Sequence, residues 1–486
     1  MPQGIRPQQV PSPTKTKKPN VMKTALKLIA IIGSALSPLT VTAETPVLLQ
    51  TFNNPTPAAG DNFGAWMAAL GSDRVLIGAP YDDTTASNAG AVYLFHTNGT
   101  LLTSFTNPSP AYAFSNGDLF GNAIATLGSD RVLIGSPNDR TVYLFTTNGT
   151  LMNTIDSIDY SEDQFFGAAV AACGNDRVLI GAPYYTVNPG YDDYMGIAYL
   201  YDTNGALLAT FNNPDTSGGD EFGFALAAFG SDRVLVGSRS YKAGLACLFN
   251  TNGTLLMTFT NPSPAYADYF GHSVAAVGTD RVLVGAYNDD SATTNAGAVY
   301  LFNTNGALLM TITNPTPAVD DNFGNRMAML GNDRVVICAP GDDTTGTDAG
   351  SAYVFNVNGT LLATLNNPAP ATDDRFASRL AAFGPEGVII GAALDDAGAT
   401  DAGSAYLFSI PTAPVAPLLT IQLAPSNAVA VSWPSPSTGF VLQQNTNSIG
   451  SVNWTNVLTG IQDDGTIKSI SVNPSPGPRF YRLFKP

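Results

Sequence analysis

Phe63-Gly64-Ala65-Trp66-Met67-Ala68-Ala69-Leu70-Gly71-Ser72-Asp73-Arg74-Val75-Leu76-Ile77-Gly78-Ala79-Pro80 decides the fold, because the same construction returns along the chain. Phe-Gly recurs at Phe120-Gly121, Phe166-Gly167, Phe222-Gly223, Phe270-Gly271 and Phe323-Gly324, and Phe376-Ala377 is a degenerate seventh copy. The copies lie 46 to 57 residues apart. Each Phe-Gly is followed by an alanine-rich apolar segment ending in Gly, then by Asp-Arg in six copies, then by a second apolar run such as 75–80. A third run (91–95) and a fourth (101–105) complete the first copy. Runs of about four to eight residues, rich in Val, Ile, Leu, Tyr and Phe and bounded by Gly, Asn, Asp or Pro, read as strands. Four strands in a period of about 50 residues make one propeller blade, so the sequence predicts an all-β, seven-bladed β-propeller.

Short connections support the same reading. Thr-Asn-Gly-Thr at 97–100, 147–150 and 251–254, Val-Asn-Gly-Thr at 357–360, and Thr-Asn-Gly-Ala at 203–206 and 304–307 join third to fourth strands. Asn-Gly there is expected to supply the positive φ angles of a two-residue hairpin turn. The seventh copy has a third strand near 403–408 and then meets Pro411, so it lacks a fourth strand of its own. An unassigned strand at 47–52 matches the fourth-strand pattern. It is expected to pair into the last blade and remove free sheet edges.

These residues resemble the FG-GAP repeats of integrin α-subunit heads and related secreted propellers. The resemblance spans about residues 47–410 and rests on recurring Phe-Gly with Gly78-Ala79-Pro80, Gly181-Ala182-Pro183 and the near-matches Gly135-Ser136-Pro137 and Cys338-Ala339-Pro340. It implies binding as the activity. Calcium-binding members carry an Asp-rich loop between first and second strands, and here that place holds only Gly-Ser-Asp-Arg or Gly-Asn-Asp-Arg. Too few oxygens remain for a cage of about six to eight ligands, so those calcium sites are not carried over.

The domain boundaries follow. Residues 1–43 read as an export signal with an extended basic n-region, with Lys23 and Lys27, an apolar stretch at 28–36 and Val41-Thr42-Ala43 before cleavage. The propeller occupies 44–410, a Pro-rich linker 411–417, and a small β-sandwich-like domain 418–486. Five strands are expected in that last piece, at 418–423, 428–433, 440–444, 467–472 and 480–484. It is similar to small fibronectin-like modules of secreted bacterial proteins that end in Phe-Tyr-Arg-Leu, here Phe480-Tyr481-Arg482-Leu483. No later apolar run approaches the roughly 20 residues that a membrane span needs.

Composition narrows the partners. The net charge is −16, and all six basic residues before position 44 would leave with the signal. Nucleic acid is therefore excluded as a partner, and an extracellular protein or polysaccharide is expected. Cys173, Cys247 and Cys338 stand at apolar positions of the repeat and read as core residues, with no CxxC pair or His cluster to suggest zinc. Of two histidines, His96 follows a third strand and His272 follows Phe270-Gly271, where it reads as a polar residue lining the channel. No Ser-His-Asp arrangement is evident, so no catalytic residues are assigned. Asn98, Asn148, Asn252, Asn358 and Asn453 fit the N-glycosylation pattern, although hairpin geometry already accounts for the first four.

Candidate ligand groups are acidic. Asp61, Asp118, Asp163, Asp220, Asp268, Asp321 and Asp374 stand just before Phe-Gly, one per blade, and read first as loop caps. The pairs Asp82-Asp83, Asp289-Asp290, Asp342-Asp343 and Asp395-Asp396 follow second strands and are the preferred ligand groups. The repeated Asp-Arg reads as a turn-stabilising Asp with a solvated Arg. Both sets of acidic loops emerge on the long-loop face, where propeller function concentrates. No cofactor is required on this reading, while weak calcium binding to the acidic face is expected. The sequence thus predicts a secreted or cell-surface binding or adhesion propeller. A carbohydrate-active protein, lectin or polysaccharide lyase, is the alternative favoured by Tyr81, Tyr112, Tyr184, Tyr185, Tyr191, Tyr194, Tyr266, Tyr269 and Tyr287 in those loops. A structural envelope or matrix component is the third.

Overall fold

The computed structural model describes residues 45–110, 117–159, 165–186, 194–215, 218–242, 244–411, 417, 419–423, 428–435, 437, 440–447, 453–473 and 477–484. The segment expected to be an export signal, Tyr112, Asp163 and Tyr191 lie outside the described residues. Two compact units divide the chain near position 413. No helix occurs among the described residues.

The larger unit consists of seven four-stranded antiparallel sheets. Six are consecutive in sequence, at 66–106, 123–156, 169–212, 222–260, 270–313 and 327–366. The seventh combines 379–409 with the first strand of the chain, Val47–Asn53, which pairs antiparallel with Ser404–Ser409. First strands of successive blades touch one another around the ring, and the first blade's touches the seventh's. They therefore line the axis.

The core sits between blades rather than within one. Seven apolar clusters each draw residues from two neighbouring blades, and the cluster holding Phe52, Phe63, Ile77, Ile389 and Leu407 joins the seventh to the first. Second and third strands are buried on both faces, which is why they read as continuous Val, Ile, Leu and Tyr runs instead of alternating ones. The seven repeat phenylalanines are all 0% exposed.

The two glycines of the repeat meet across that interface. A Cβ on Gly135 would stand 2.1 Å from the carbonyl oxygen of Gly167 in the next blade, and one on Gly181 2.1 Å from that of Gly223. Only a bare α-carbon admits such backbone approach. The Phe-Gly glycines also adopt φ near 90°, as at Gly64, Gly121 and Gly167. The interface between blades six and seven departs from the pattern, with Cys338 of blade six for one glycine and Ala377 of blade seven, at φ 67, for the other, both in the same buried cluster.

Two expectations for the tight-turn face are corrected. In the Asn-Gly hairpins only Gly has positive φ (Gly99, 90°). The Gly99 amide bonds the His96 carbonyl, and the Thr100 amide bonds Asn98 Oδ1, so this is an ordinary turn followed by a glycine bulge rather than a two-residue primed turn. The Asp-Arg arginines are not simply solvated. Arg74 donates to the Ser129 carbonyl at 2.8 Å, Arg131 to Asn175, Arg177 to Ser231 and Arg233 to Thr279, each in the following blade's turn.

The smaller unit has two sheets. One holds Thr420–Leu423, Val429–Pro434, Ile467–Val472 and Gln462–Asp463, and the other Thr455–Asn456, Val441–Asn445 and Phe480–Phe484. Two of these strands, each two residues long, were too short to read from sequence. A single small core of Val431, Trp433 and Leu442 lies between the sheets, with Ile421, Ile470, Tyr481 and Leu483 against it.

Candidate functional site

The aspartates that precede Phe-Gly cap the long loops. Asp61, Asp118, Asp220, Asp268, Asp321 and Asp374 are all buried. Each accepts from a loop-opening asparagine: Asn54, Asn107, Asn213, Asn261, Asn314 and Asn367, at 2.7–3.1 Å. Asp61 also accepts the Ala58 amide at 2.7 Å, and Asp268 the Ala265 amide at 2.7 Å. Burial, reinforced by repulsion from Asp82, Asp289, Asp342 and Asp395, raises the carboxyl pKa of Asp61, Asp268, Asp321 and Asp374, that of Asp321 to about 6.

The Asp-Asp pairs divide their labour. The first member, Asp82, Asp289, Asp342 or Asp395, is buried and accepts a tyrosine hydroxyl eleven positions on: Tyr93 at 2.6 Å, Tyr300 at 2.5 Å, Tyr353, and Tyr406 at 2.8 Å. The second member, Asp83, Asp290, Asp343 or Asp396, is exposed and accepts the amide of Asn88, Asn295, Asp348 or Asp401. Those four residues have φ of 48–54°, the left-handed conformation that Asn and Asp tolerate best. One oxygen of each outer carboxylate is thus committed to the loop. Among the described residues no three His, Cys, Asp or Glu side chains converge to hold a metal ion.

A second group of side chains occupies the axial end of the first strands. Arg326 and Arg379, on blades six and seven, lie over the Trp66 ring of blade one at 5.7 and 4.5 Å. Arg326 and Arg239 lie over Phe224 at 5.2 and 4.5 Å. His272 packs at a tilt between Phe224 (4.7 Å) and Tyr287 (4.3 Å), and Tyr287 lies parallel to Tyr269 at 5.1 Å. Tyr241 packs on Tyr269 at 5.2 Å, while Tyr184 packs on Phe165 and Tyr194. Blades one, four, five, six and seven contribute to one aromatic and cationic cluster, which Tyr184 of blade three joins at its edge through Arg239.

Its charge balance is uneven. Arg239 is paired with Glu221 at 2.7 Å. Among the described residues Arg326 and Arg379 hydrogen-bond only backbone carbonyls, those of His272, Asn325 and Ser378. Burial, with repulsion from the neighbouring guanidiniums, depresses both, that of Arg379 to about 10 and that of Arg326 well below the usual range. His272 is held neutral, first by burial and then by the three arginines, and neither ring nitrogen has a partner.

Part of this was readable. His272 was expected in the channel, but the arginines were not singled out. The signal lay in departures from the repeat: two positions after Phe-Gly, blades two to four carry Ala123, Ala169 and Ala225, whereas blades one, six and seven carry Trp66, Arg326 and Arg379. The residue before each Phe is left-handed in every blade (Asn62, Leu119, Phe165, Glu221, Tyr269, Asn322 and Arg375), which sequence reasoning missed because Leu, Phe, Tyr and Glu rarely adopt it.

Comparison with known proteins agrees with the architecture. The FG-GAP repeat model matches residues 56–95, 258–302, 310–355 and 362–408. No curated protein sequence matches the chain. Among solved structures, virginiamycin B lyase from Staphylococcus aureus is similar over 76% of this chain and 100% of its own, at 10% identity and TM-score 0.52. U3-55K is similar over 76% and 99%, at 9% identity and TM-score 0.50. The chain also aligns with 30% of the length of Chaetomium thermophilum Raptor, at 10% identity and TM-score 0.48. At such identity these likenesses speak to the fold alone. Four segments of the chain are thus similar to FG-GAP repeats, and its seven four-stranded sheets build a β-propeller.

Proposed function

We propose that this protein is an exported, cell-surface or secreted recognition propeller that binds an extracellular protein or polysaccharide on its long-loop face, without catalysis of its own. One observation carries the reading: departures from repeat symmetry gather at the axial end of that face, where aromatic and charged side chains replace alanines. A purely architectural ring would have no reason to break its symmetry at one place. Binding to a protein and glycan array by the chain lacking residues 1–43 tests it. Capture of a ligand, abolished by Tyr241→Ala with Tyr269→Ala, is the expected result; capture of nothing overturns it.

The carbohydrate reading draws support from the parallel Tyr269 and Tyr287 rings and from Tyr266, which is 80% exposed. Flat aromatic surfaces suit the apolar faces of sugar rings. Calcium has a smaller place in this proposal. The outer carboxylates Asp83, Asp290, Asp343 and Asp396 each retain an oxygen for solvent, without a cage. Calcium at about 5–10 mM should raise Tm slightly, Asp83→Asn with Asp343→Asn should reduce that shift, and a chelator should leave the protein folded.

A further inference from the structure

Resting on the recognition reading above, the geometry points to a built anion subsite at the axial end of the first strands, where Arg326 and Arg379 take the single carboxylate of an acidic sugar unit on an otherwise neutral glycan.

In a chain of net charge −16, chance would surround a half-buried arginine with carboxylates. Arg239 follows that expectation through Glu221. Arg326 and Arg379 do not: among the described residues no acidic group lies in ion-pair contact with either. Both crowd Trp66 and repel one another and Arg239, at a cost in stability that folding alone does not explain. Each guanidinium presents a planar fork of donors, and here most of those donors have no protein acceptor. Arg379 Nε is buried without a partner, as are both nitrogens of His272. Orphaned donors converging on one place, the Arg379 Nε–H and the single N–H of the neutral His272 among them, mark a site whose acceptor comes from outside.

Shape and surroundings select among anions. Bidentate arginine geometry suits a carboxylate or sulfate. Around the arginines stand the faces of Trp66, Phe224 and the Tyr287–Tyr269 pair, which offer flat apolar contact rather than further cations. A sugar ring with one acidic substituent satisfies both features. A polyanion fits poorly, because the exposed Asp83, Asp290, Asp343 and Asp396 lie on the same face and would repel charges beyond the first.

The probe is aldotetraouronic acid, a xylotriose bearing one glucuronate, measured by calorimetry against neutral xylotetraose, heparin, and an N-acetylated tetrapeptide with one Glu. The acidic sugar should bind at least roughly tenfold tighter than each of the others, since one charge-assisted pair lost costs on the order of a tenfold change. Arg326→Gln or Arg379→Gln should abolish that margin, whereas Arg74→Gln on the opposite face should not. A readout in the unaltered protein guards against misfolded variants: binding should change the emission of Trp66, and Trp66→Phe should remove that change. Equal binding of the neutral sugar, tighter binding of the peptide or heparin, or affinity unaffected in both arginine variants would overturn the subsite. Because array capture of any ligand tests recognition separately, a captured ligand that ignores these arginines refutes the subsite and leaves the recognition reading standing.

Discussion

Asp321 shows how a single carboxylate can be structural and still respond to pH. Its Oδ2 accepts the Asn314 amide group at 2.7 Å and the Ala318 backbone amide at 2.6 Å, while Oδ1 is buried without a partner. Burial outweighs these bonds and raises the pKa from 3.8 to about 6. The folded state therefore holds this proton more tightly than the unfolded chain, so its stabilising contribution is complete below about pH 4 and is lost as pH rises through about 6. Asp321→Asn imitates the protonated form. Its melting temperature should exceed that of the parent at about pH 7.5, and the advantage should vanish at about pH 4. A constant difference across that range would show that charge at 321 is irrelevant. Glycine positions act by space instead. Gly181→Ala should destabilise by about 1–3 kcal/mol or more, because its methyl would collide with the Gly223 carbonyl. Ala377→Gly should stabilise by about 1 kcal/mol by relieving a left-handed alanine. Urea melts of the two variants should move in opposite directions.

At the scale of elements, the strand plan was legible because each run is short, apolar and punctuated by Gly, Asn or Pro, and because seven copies average out local ambiguity. The Asp-Asp loops were visible but their use was not. Nothing at Asp82 announces that Tyr93, eleven positions on, will occupy one of its oxygens, since that contact depends on the register between second and third strands. The Asp-Arg turns carry a similar lesson, because their arginines act across blades. Arg177 reaches the Ser231 carbonyl at 2.5 Å, whereas its own Asp176 is 3.7 Å away and mostly exposed. Arg177→Met should therefore cost about 1–2 kcal/mol in urea denaturation, and Asp176→Asn should change stability little. Equal losses would place the energy in the exposed ion pair rather than in the link between blades. The axial arginines were hidden for the opposite reason: a repeat reading rewards what recurs, and Trp66, Arg326 and Arg379 are exceptions to the repeat.

The whole molecule depends on its first strand. Each blade shares its core with two neighbours, so a ring has no terminal repeat that can fray without disturbing the rest. Val47–Asn53 supplies the outer strand of the last blade, and Phe52, 2% exposed, enters the cluster that joins the seventh blade to the first. Removing residues 45–53 would expose the edge of Ser404–Ser409 and open that cluster at once. We expect a large fall in the melting temperature of the entire propeller, still as one cooperative transition, with partial recovery on adding a peptide of residues 45–53. Phe52→Ala should follow the same course more mildly, at about 3–5 kcal/mol. Hydrogen exchange decides whether the loss is global. If protection falls only in Ser404–Ser409 and its immediate partners while the third and fourth blades keep theirs, the blades behave as a linear array and closure contributes only locally. If protection falls around the full circle, the first strand fixes the stability of all seven blades, and with it the geometry of an axial cluster assembled from blades one, four, five, six and seven.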